Sequence, residues 1–343
     1  MRKYLINPNQ MWVKANLHCH SDNSDGSKTP NEIKEMYKAH GYQVVAFTDH
    51  EQFYDNSYLT DDTFVALTAA EYSFHRSDWK AVNETYREPG SKTTWRDVEV
   101  VHLNMFKKHP HDVYNFGSSY NYLKTEKCKV PPQMDGYERD LSVESINEVI
   151  KMANAEGTLV QFNHPDWSLN NEQLYLNLEG LWGFEILNYQ THLETGMSYC
   201  PLAYDQMLRV GHNVFCTMGD DNHNHIEKDN YGSFGGFNYI GVNKLTYDEV
   251  FEALRVGNFY ASSGPVIKSL YVEDGKIWVE CSEATDIIFN GYNRTYRNYH
   301  GENLTVADFK IFGEEVYFRI TVKDKYGNVA HTHAYFVKDV MEQ

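Results

Sequence analysis

Two histidines one residue apart lie at the end of an apolar run, in Asn16-Leu17-His18-Cys19-His20. Alternate residues of an extended chain face the same side, so both imidazoles can reach one cation from a rigid platform. The pattern then recurs along the chain. Asp25 follows in a loop rich in Ser and Asp, and Thr48-Asp49-His50 closes the next apolar run. Glu71 comes directly after Val65 to Ala70, His102 lies within Val100 to Met105, and His164 follows Thr158 to Phe162. Asp220-Asp221-Asn222-His223 follows Asn213 to Met218. Any one of these has an ordinary use, as a helix cap or as a partner for a backbone carbonyl. All of them at strand ends need a shared cause. In a parallel sheet or barrel those ends converge on one mouth, where so many imidazoles and acids call for cations to hold them together. Imidazole with carboxylate suits Zn, Mn or Fe.

The elements that must position these residues alternate. Trp12 to His18, Val44 to Thr48, Phe64 to Ala69, Glu99 to Phe106, Thr158 to Phe162, Gly183 to Leu187 and Asn213 to Met218 read as strands. Helices intervene: one opened by Thr29-Pro30 and ended by Gly41, one over Ser142 to Glu156 with Ile146, Val149, Ile150 and Ala153 inward, and one over Pro201 to Val210. This alternation predicts an α/β domain with a mainly parallel sheet, open or closed, over residues 1–262. Two polar, Tyr-rich stretches near 75–98 and 107–141 exceed ordinary connections and read as insertions over the strand ends. After Ser263 helical periodicity vanishes. Short alternating runs with turn signals predict a small antiparallel β-sandwich over 263–343.

The chain of 343 residues is 41% apolar and 15% aromatic, enough for a large core. Its formal net charge of -17 makes a nucleic-acid backbone a poor default partner. Five cysteines at irregular spacing read as free thiols in a reducing compartment. With no long apolar stretch, the expectation is a cytoplasmic protein with no membrane partner; homo-oligomerisation is left open.

In order, spacing and strand context, His18-Cys19-His20 with Asp25, Thr48-Asp49-His50, His164 and Asp221-Asn222-His223 resemble the four motifs of the polymerase-and-histidinol-phosphatase (PHP) metallohydrolases. His102-Leu103-Asn104 and Gly257 to Pro265, ahead of a β-rich tail, look like the CehA/McbA-type branch. The resemblance, over about residues 12–262, implies a distorted (β/α)7 barrel and a partition of metal ligands. His18, His20, Glu71 and Asp221 would hold one cation; Glu71, His102 and His164 a second; Asp25, His50 and His223 a third. Many relatives carry His where this chain has Asp25, so two or three divalent ions are expected. Asp221 is taken over Asp220 because it lies two residues before His223.

Paired cations generate a hydroxide near neutral pH and polarise the bond under attack. The expected activity is therefore that of a metal-dependent phosphoesterase acting on a small phosphorylated substrate. Cys19 should face the core. Asp49 is expected to orient a ligand or shuttle a proton, and His50 or His223 to protonate the leaving group where the third cation is absent. Arg76, with Lys80, Arg87 and Arg96, is a candidate for binding substrate phosphate, and Asn188 for another substrate contact. The alternatives are a carbamate or carboxylester hydrolase on the same metals, and a non-catalytic carbohydrate- or protein-binding module with a structural metal. A polymerase-associated exonuclease fits the acidic charge less well.

Overall fold

The computed structural model describes residues 2–75, 98–113, 118–119, 138–225 and 231–341. Most of both expected insertions lies outside them, as do Arg76, Lys80, Arg87, Arg96 and Cys128. The fold is mixed α/β. In chain order come β1 (Lys3–Ile6), β2 (Met11–Asn16), α1 (Pro30–Ala39), β3 (Val44–Phe47), β4 (Val65–His75) and β5 (Val100–Phe106). Then follow the short β6 (Ser118–Ser119) and β7 (Glu138–Arg139), α2 (Val143–Ala155), β8 (Leu159–Phe162), α3 (Glu172–Tyr175) and β9 (Gly183–Asn188). Next are α4 (Tyr189–Thr195), α5 (Pro201–Arg209), β10 (Phe215–Gly219), β11 (Phe237–Val242), α6 (Tyr247–Val256) and β12 (Phe259–Ser262). The tail holds β13 (Ile267–Glu273), β14 (Lys276–Gly291), β15 (Tyr296–Lys310), β16 (Tyr317–Lys323), β17 (Val329–His331), β18 (Tyr335–Phe336) and α7 (Val337–Met341).

Local sequence accounts for the helix ends. Thr29 and Glu32 form a reciprocal capping box with Pro30 in the first turn of α1. Ser142 caps α2, which buries Ile146, Val149, Ile150 and Ala153. Those four side chains join Leu103, Val160, Phe162 and Phe184 in one apolar cluster behind the sheet.

Strands β2, β3 and β4 are parallel, as are β8, β9 and β10. Between these groups β5 runs antiparallel to both neighbours, which departs from the expected run of parallel strands. Strand β4 also continues past Glu71 to His75. The reversal matters for the site. It puts the start of β5, with His102, beside the C-terminal ends of its neighbours. The two ends of this series meet: Cys19 bridges Asn222, His20 N donates to Asn222 O at 3.2 Å, and Asp221 N donates to His18 O at 2.9 Å.

The tail is more continuous with the rest than alternation alone suggests. Among the described residues β12 pairs with β17, and β1 at the N-terminus pairs with β13, so sixteen strands form one hydrogen-bonded sheet. The stretches 276–281 and 287–290, expected as separate strands, are one strand of 16 residues paired with β15. Strand β15 was not anticipated, because its outward-facing pattern lacks an apolar alternation. Ile277, Val279, Ile287, Phe289, Phe309, Phe318 and Ile320 fill the tail's own core, with Ile6 from β1 among them.

Candidate metal centre

Six imidazoles and three carboxylates, drawn from separate segments of the chain, converge at one end of the sheet. At the centre is Glu71, 1% exposed on β4. His18 Nε2, His102 Nδ1 and His164 Nε2 lie 3.2, 3.1 and 3.1 Å from its Oε1. His20 Nε2 and His50 Nδ1 lie 3.4 and 3.3 Å from its Oε2. Asp221 Oδ1 adds contacts of 3.2 Å to His18 and 3.0 Å to His20. Around Asp25, His50 Nε2 is at 3.5 Å, His223 Nε2 at 3.4 Å and His20 Nδ1 at 3.7 Å. The structure thus brings together His18, His20, Asp25, His50, Glu71, His102, His164, Asp221 and His223. Among the described residues four groups of donors lie close enough to share an ion: His18, His20, Glu71 and Asp221; Glu71, His102 and His164; Asp25, His50 and His223 with His20; and His18, His164 and Glu185. His20 facing both the first and the third group is an addition to the expected partition. The most exposed members of the cluster are Asp25 and His223, whose side chains are 37% and 17% exposed.

Close approach of backbone makes the packing possible. A Cβ on Gly219 would lie 2.6 Å from both Glu185 Oε1 and the His18 Cβ, so only glycine lets β10 pass this near His18. His164 and Asp221 adopt positive φ values of 21° and 55°. Such conformations cost of order 1–3 kcal/mol for residues with a side chain and cluster at functional sites.

A set of hydrogen bonds aims the ligands. Glu185 Oε1 takes His18 Nδ1 at 2.9 Å, and its Oε2 accepts from His164 N at 3.2 Å and Asn188 Nδ2 at 3.0 Å. Ser168 Oγ meets His164 Nδ1 at 3.0 Å, and Asn163 Nδ2 donates to Glu71 Oε1 at 2.8 Å. Glu185 lies within β9 and belongs to no motif in the sequence. Its position three residues before the cap Asn188 was the only available signal.

Several expectations are refined or corrected here. Asn188, expected as a substrate contact, is fully buried, and its side chain is engaged within the protein. Its Oδ1 caps α4 through Thr191, and its Nδ2 holds Asp221 Oδ2 at 3.0 Å. Asp49 is kept from the imidazole nitrogens: its carboxylate accepts from Ser21 N at 2.7 Å, Ser21 Oγ at 2.8 Å and Ser24 Oγ at 2.9 Å. It therefore shapes the loop between His20 and Asp25, which carries two members of the cluster. His50 and His223 do sit at the rim, and Arg76 lies outside the described residues. Asp220 points away as expected. It accepts from the backbone N–H groups of Phe234, Gly235 and Gly236 and from the Tyr37 hydroxyl. Cys19 packs with Ile33 and Tyr37, and Cys19, Cys200, Cys216 and Cys281 are buried free thiols.

The electrostatics fit divalent cations. Burial opposes charge on His18 and His20, yet neighbouring acids outweigh it: His18 is carried well above the ordinary range and His20 up to about 10. Burial likewise opposes ionisation of Glu71, but His102 and His18 drive its pKa well below the usual value. Asp25 is held low by His50 and His223 against the same penalty. The acids thus demand positive charge from whatever faces them. A divalent ion meets that demand and displaces the protons. Moreover, His18 Nε2, both His20 ring nitrogens, His102 Nδ1 and Asp221 Oδ1 are buried with no hydrogen-bond partner. Buried polar atoms are rarely left so unless an ion or ligand completes them.

Comparisons with known proteins give partial matches. No family model matches the chain. A 5'-3' exoribonuclease of Haemophilus influenzae is 31% identical over 100 residues, 29% of this chain; the chain spans about a third of that relative, 32% of its length. A two-domain Bacteroides vulgatus protein containing a predicted PHP-like metal-dependent phosphoesterase aligns over 96% of both chains, at 12% identity and a TM-score of 0.44. The lesion-specific endonuclease of Pyrococcus furiosus aligns over 72% of this chain and 56% of its own, at 16% identity and a TM-score of 0.41. A Chromobacterium violaceum amidohydrolase aligns over 61% of this chain and 87% of its own, at 15% identity and a TM-score of 0.36.

Proposed function

We propose that the chain is a metal-dependent hydrolase of the PHP type, acting on a small phosphorylated substrate. The observation that carries this reading is the approach of five imidazoles to the one buried carboxylate of Glu71. A purely structural ion needs one closed set of ligands, whereas four adjoining sets share members here and open toward solvent at Asp25 and His223. On this reading the bonds joining residues 18–20 to 221–222 close a distorted barrel over 1–262, and residues 263–343 form an appended sandwich. The CehA/McbA-type branch and a cytoplasmic location belong to the same proposal.

Bound Zn, Mn or Fe would supply Lewis acidity and water acidified to near neutral pH. The protein's own groups do the rest. Glu71 would serve as a ligand common to neighbouring ions, Glu185 fixes the His18 ring through Nδ1, and Asn188 fixes Asp221. Where the third cation is absent, His223, the most exposed imidazole of the cluster, is placed to deliver a proton to a departing oxygen.

A second reading is supported by the stretch shared with the exoribonuclease: a phosphodiester at the end of a short single strand. The net charge of -17 weighs against a long polyanion and is compatible with a terminal nucleotide held at the cations. Protein reconstituted with Zn, Mn or Fe should hydrolyse p-nitrophenyl phosphate or its bis-ester, and chelation should abolish this. Release of mononucleotides from a short oligonucleotide would select the second reading. Turnover of p-nitrophenyl acetate alone would overturn both and favour the carboxylester alternative.

A further inference from the structure

A buried ion pair sits next to the cluster and takes no part in the reading above. Glu51 directly follows His50 and adopts a left-handed φ of 66°. Its backbone N–H donates to Glu71 O at 2.8 Å, while Glu71 N donates to Asp49 O at 3.2 Å. The turn carrying His50 is thereby stitched to the strand carrying Glu71. The Glu51 side chain repeats the stitch one step further along: Oε1 accepts from Ser73 N at 2.9 Å. Oε2 pairs with Arg139 Nη2, and both side chains are 1% exposed.

Arg139 has little else to do. Its guanidinium carbon lies 4.4 Å from the Tyr72 ring centroid and 5.5 Å from that of Phe74. Its Nε and Nη1 have no hydrogen-bond partner. The aromatic faces compensate part of the buried charge, and Glu51 is its sole polar partner among the described residues. A buried pair of this kind is weak evidence for stability, since apolar replacements often serve as well, but it can fix one conformation. This pair lies on a turn with a left-handed residue, directly after an imidazole that faces both Glu71 and Asp25.

We propose that Glu51 and Arg139 are positioning residues: their ion pair locks the His50–Glu51 turn against β4 and so sets the affinity of the cation held by His50, Asp25 and His223. The inference rests on the metal-centre reading and assigns the pair to one of its three ion positions. Ions held without His50, by His18 and Asp221 or by His102 and His164, should be little affected.

The test is calorimetric titration of the apo protein with Zn(II) and with Mn(II), beside thermal melts without metal. Glu51→Gln with Arg139→Met removes both charges while keeping similar shapes. The expected result is a melting temperature close to that of the wild type and one binding step weakened by about 10–100-fold, with the others unchanged. Unchanged affinity at every step would overturn the proposal and leave the pair a packing feature. Should the double variant not fold, Arg139→Lys retains the charge but not the planar fork. It should weaken the same step, and unchanged binding there would equally overturn the idea. Wild-type protein that binds no ion would sink the metal-centre reading together with this one. Wild type that binds normally, with variants that match it, sinks the positioning role alone.

Discussion

The cluster around Glu71 and the sheet after Ser263 are both buried, yet they are built on opposite principles. In the tail, Phe289 stacks on Phe318 at 5.5 Å and meets Phe309 at a tilt at 5.6 Å, and the strands' polar groups are spent on their neighbours. At the cluster, five buried side chains that are at most 1% exposed, His18, His20, Glu71, His164 and Glu185, carry charge or can carry it. Several of their atoms lack hydrogen bonds. The first region is arranged to be stable without help. The second gathers buried ionisable groups whose charge a bound cation would balance. Adjacent residues show the same contrast in miniature. Asp220 has its carboxylate filled by backbone and Tyr37 donors, although burial still pushes its pKa up to about 6; Asp221 faces imidazoles.

The sharpest way to break this contrast is to damage each region and measure both properties. Glu71→Gln should lower kcat/KM by roughly a thousandfold or more, since several kcal/mol of transition-state stabilisation depend on the ions. Its fold should survive, as read by circular dichroism. Phe289→Ala should do the reverse: about 3–5 kcal/mol of lost stability by denaturant titration, with ion content per folded molecule unchanged. If Phe289→Ala strips the ions, the two regions are not separable in the way described.

A smaller effect sharpens the picture within the cluster. Glu185→Gln keeps the shape at His18 Nδ1 but weakens the carboxylate's hold on the ring. Metal affinity should fall by about 10–100-fold without loss of the ions' number at saturation. No change in affinity would reduce Glu185 to a filler of space behind Gly219.

The smallest expected effect belongs to the tail. Burial holds His331 neutral, with its pKa lowered to about 3, and likewise His333, lowered to about 4. In the unfolded chain both regain the ordinary value near 6.5. Between roughly pH 6.5 and 4 the unfolded state therefore binds more protons, so stability is full above that window and falls as pH drops through it. His333 sits against the rings of Phe215 and Tyr335 at 4.9 and 4.4 Å. His333→Phe should be close to neutral at pH 7 and should flatten the decline at pH 5, measured as guanidinium midpoints. An equal decline in both proteins would contradict this assignment.

Much of the cluster was legible because its ligands follow strand ends, where periodicity and residue type speak together. His18 and His20 by their spacing, and Asp221 over Asp220 by its distance from His223, could be placed from sequence. What was not legible depends on contacts between distant segments. Asn188 has the same local sequence whether it touches a substrate or caps α4, and only burial separates the two. Glu185 and Arg139 carry no motif, and their roles come from partners 167 and 88 residues away. The reversed direction of β5 was hidden because a short apolar run is the same in either orientation. Strand β15 was missed because an edge strand facing solvent needs no apolar alternation.

The account stands on cations held jointly by residues from His18 to His223. Elemental analysis of reconstituted, desalted protein, run alongside Glu71→Gln, measures that directly. About two or three divalent ions per wild-type chain, falling below one in the variant, is the predicted result. Fewer than one ion in the wild type, or full retention without the Glu71 carboxylate, would contradict it.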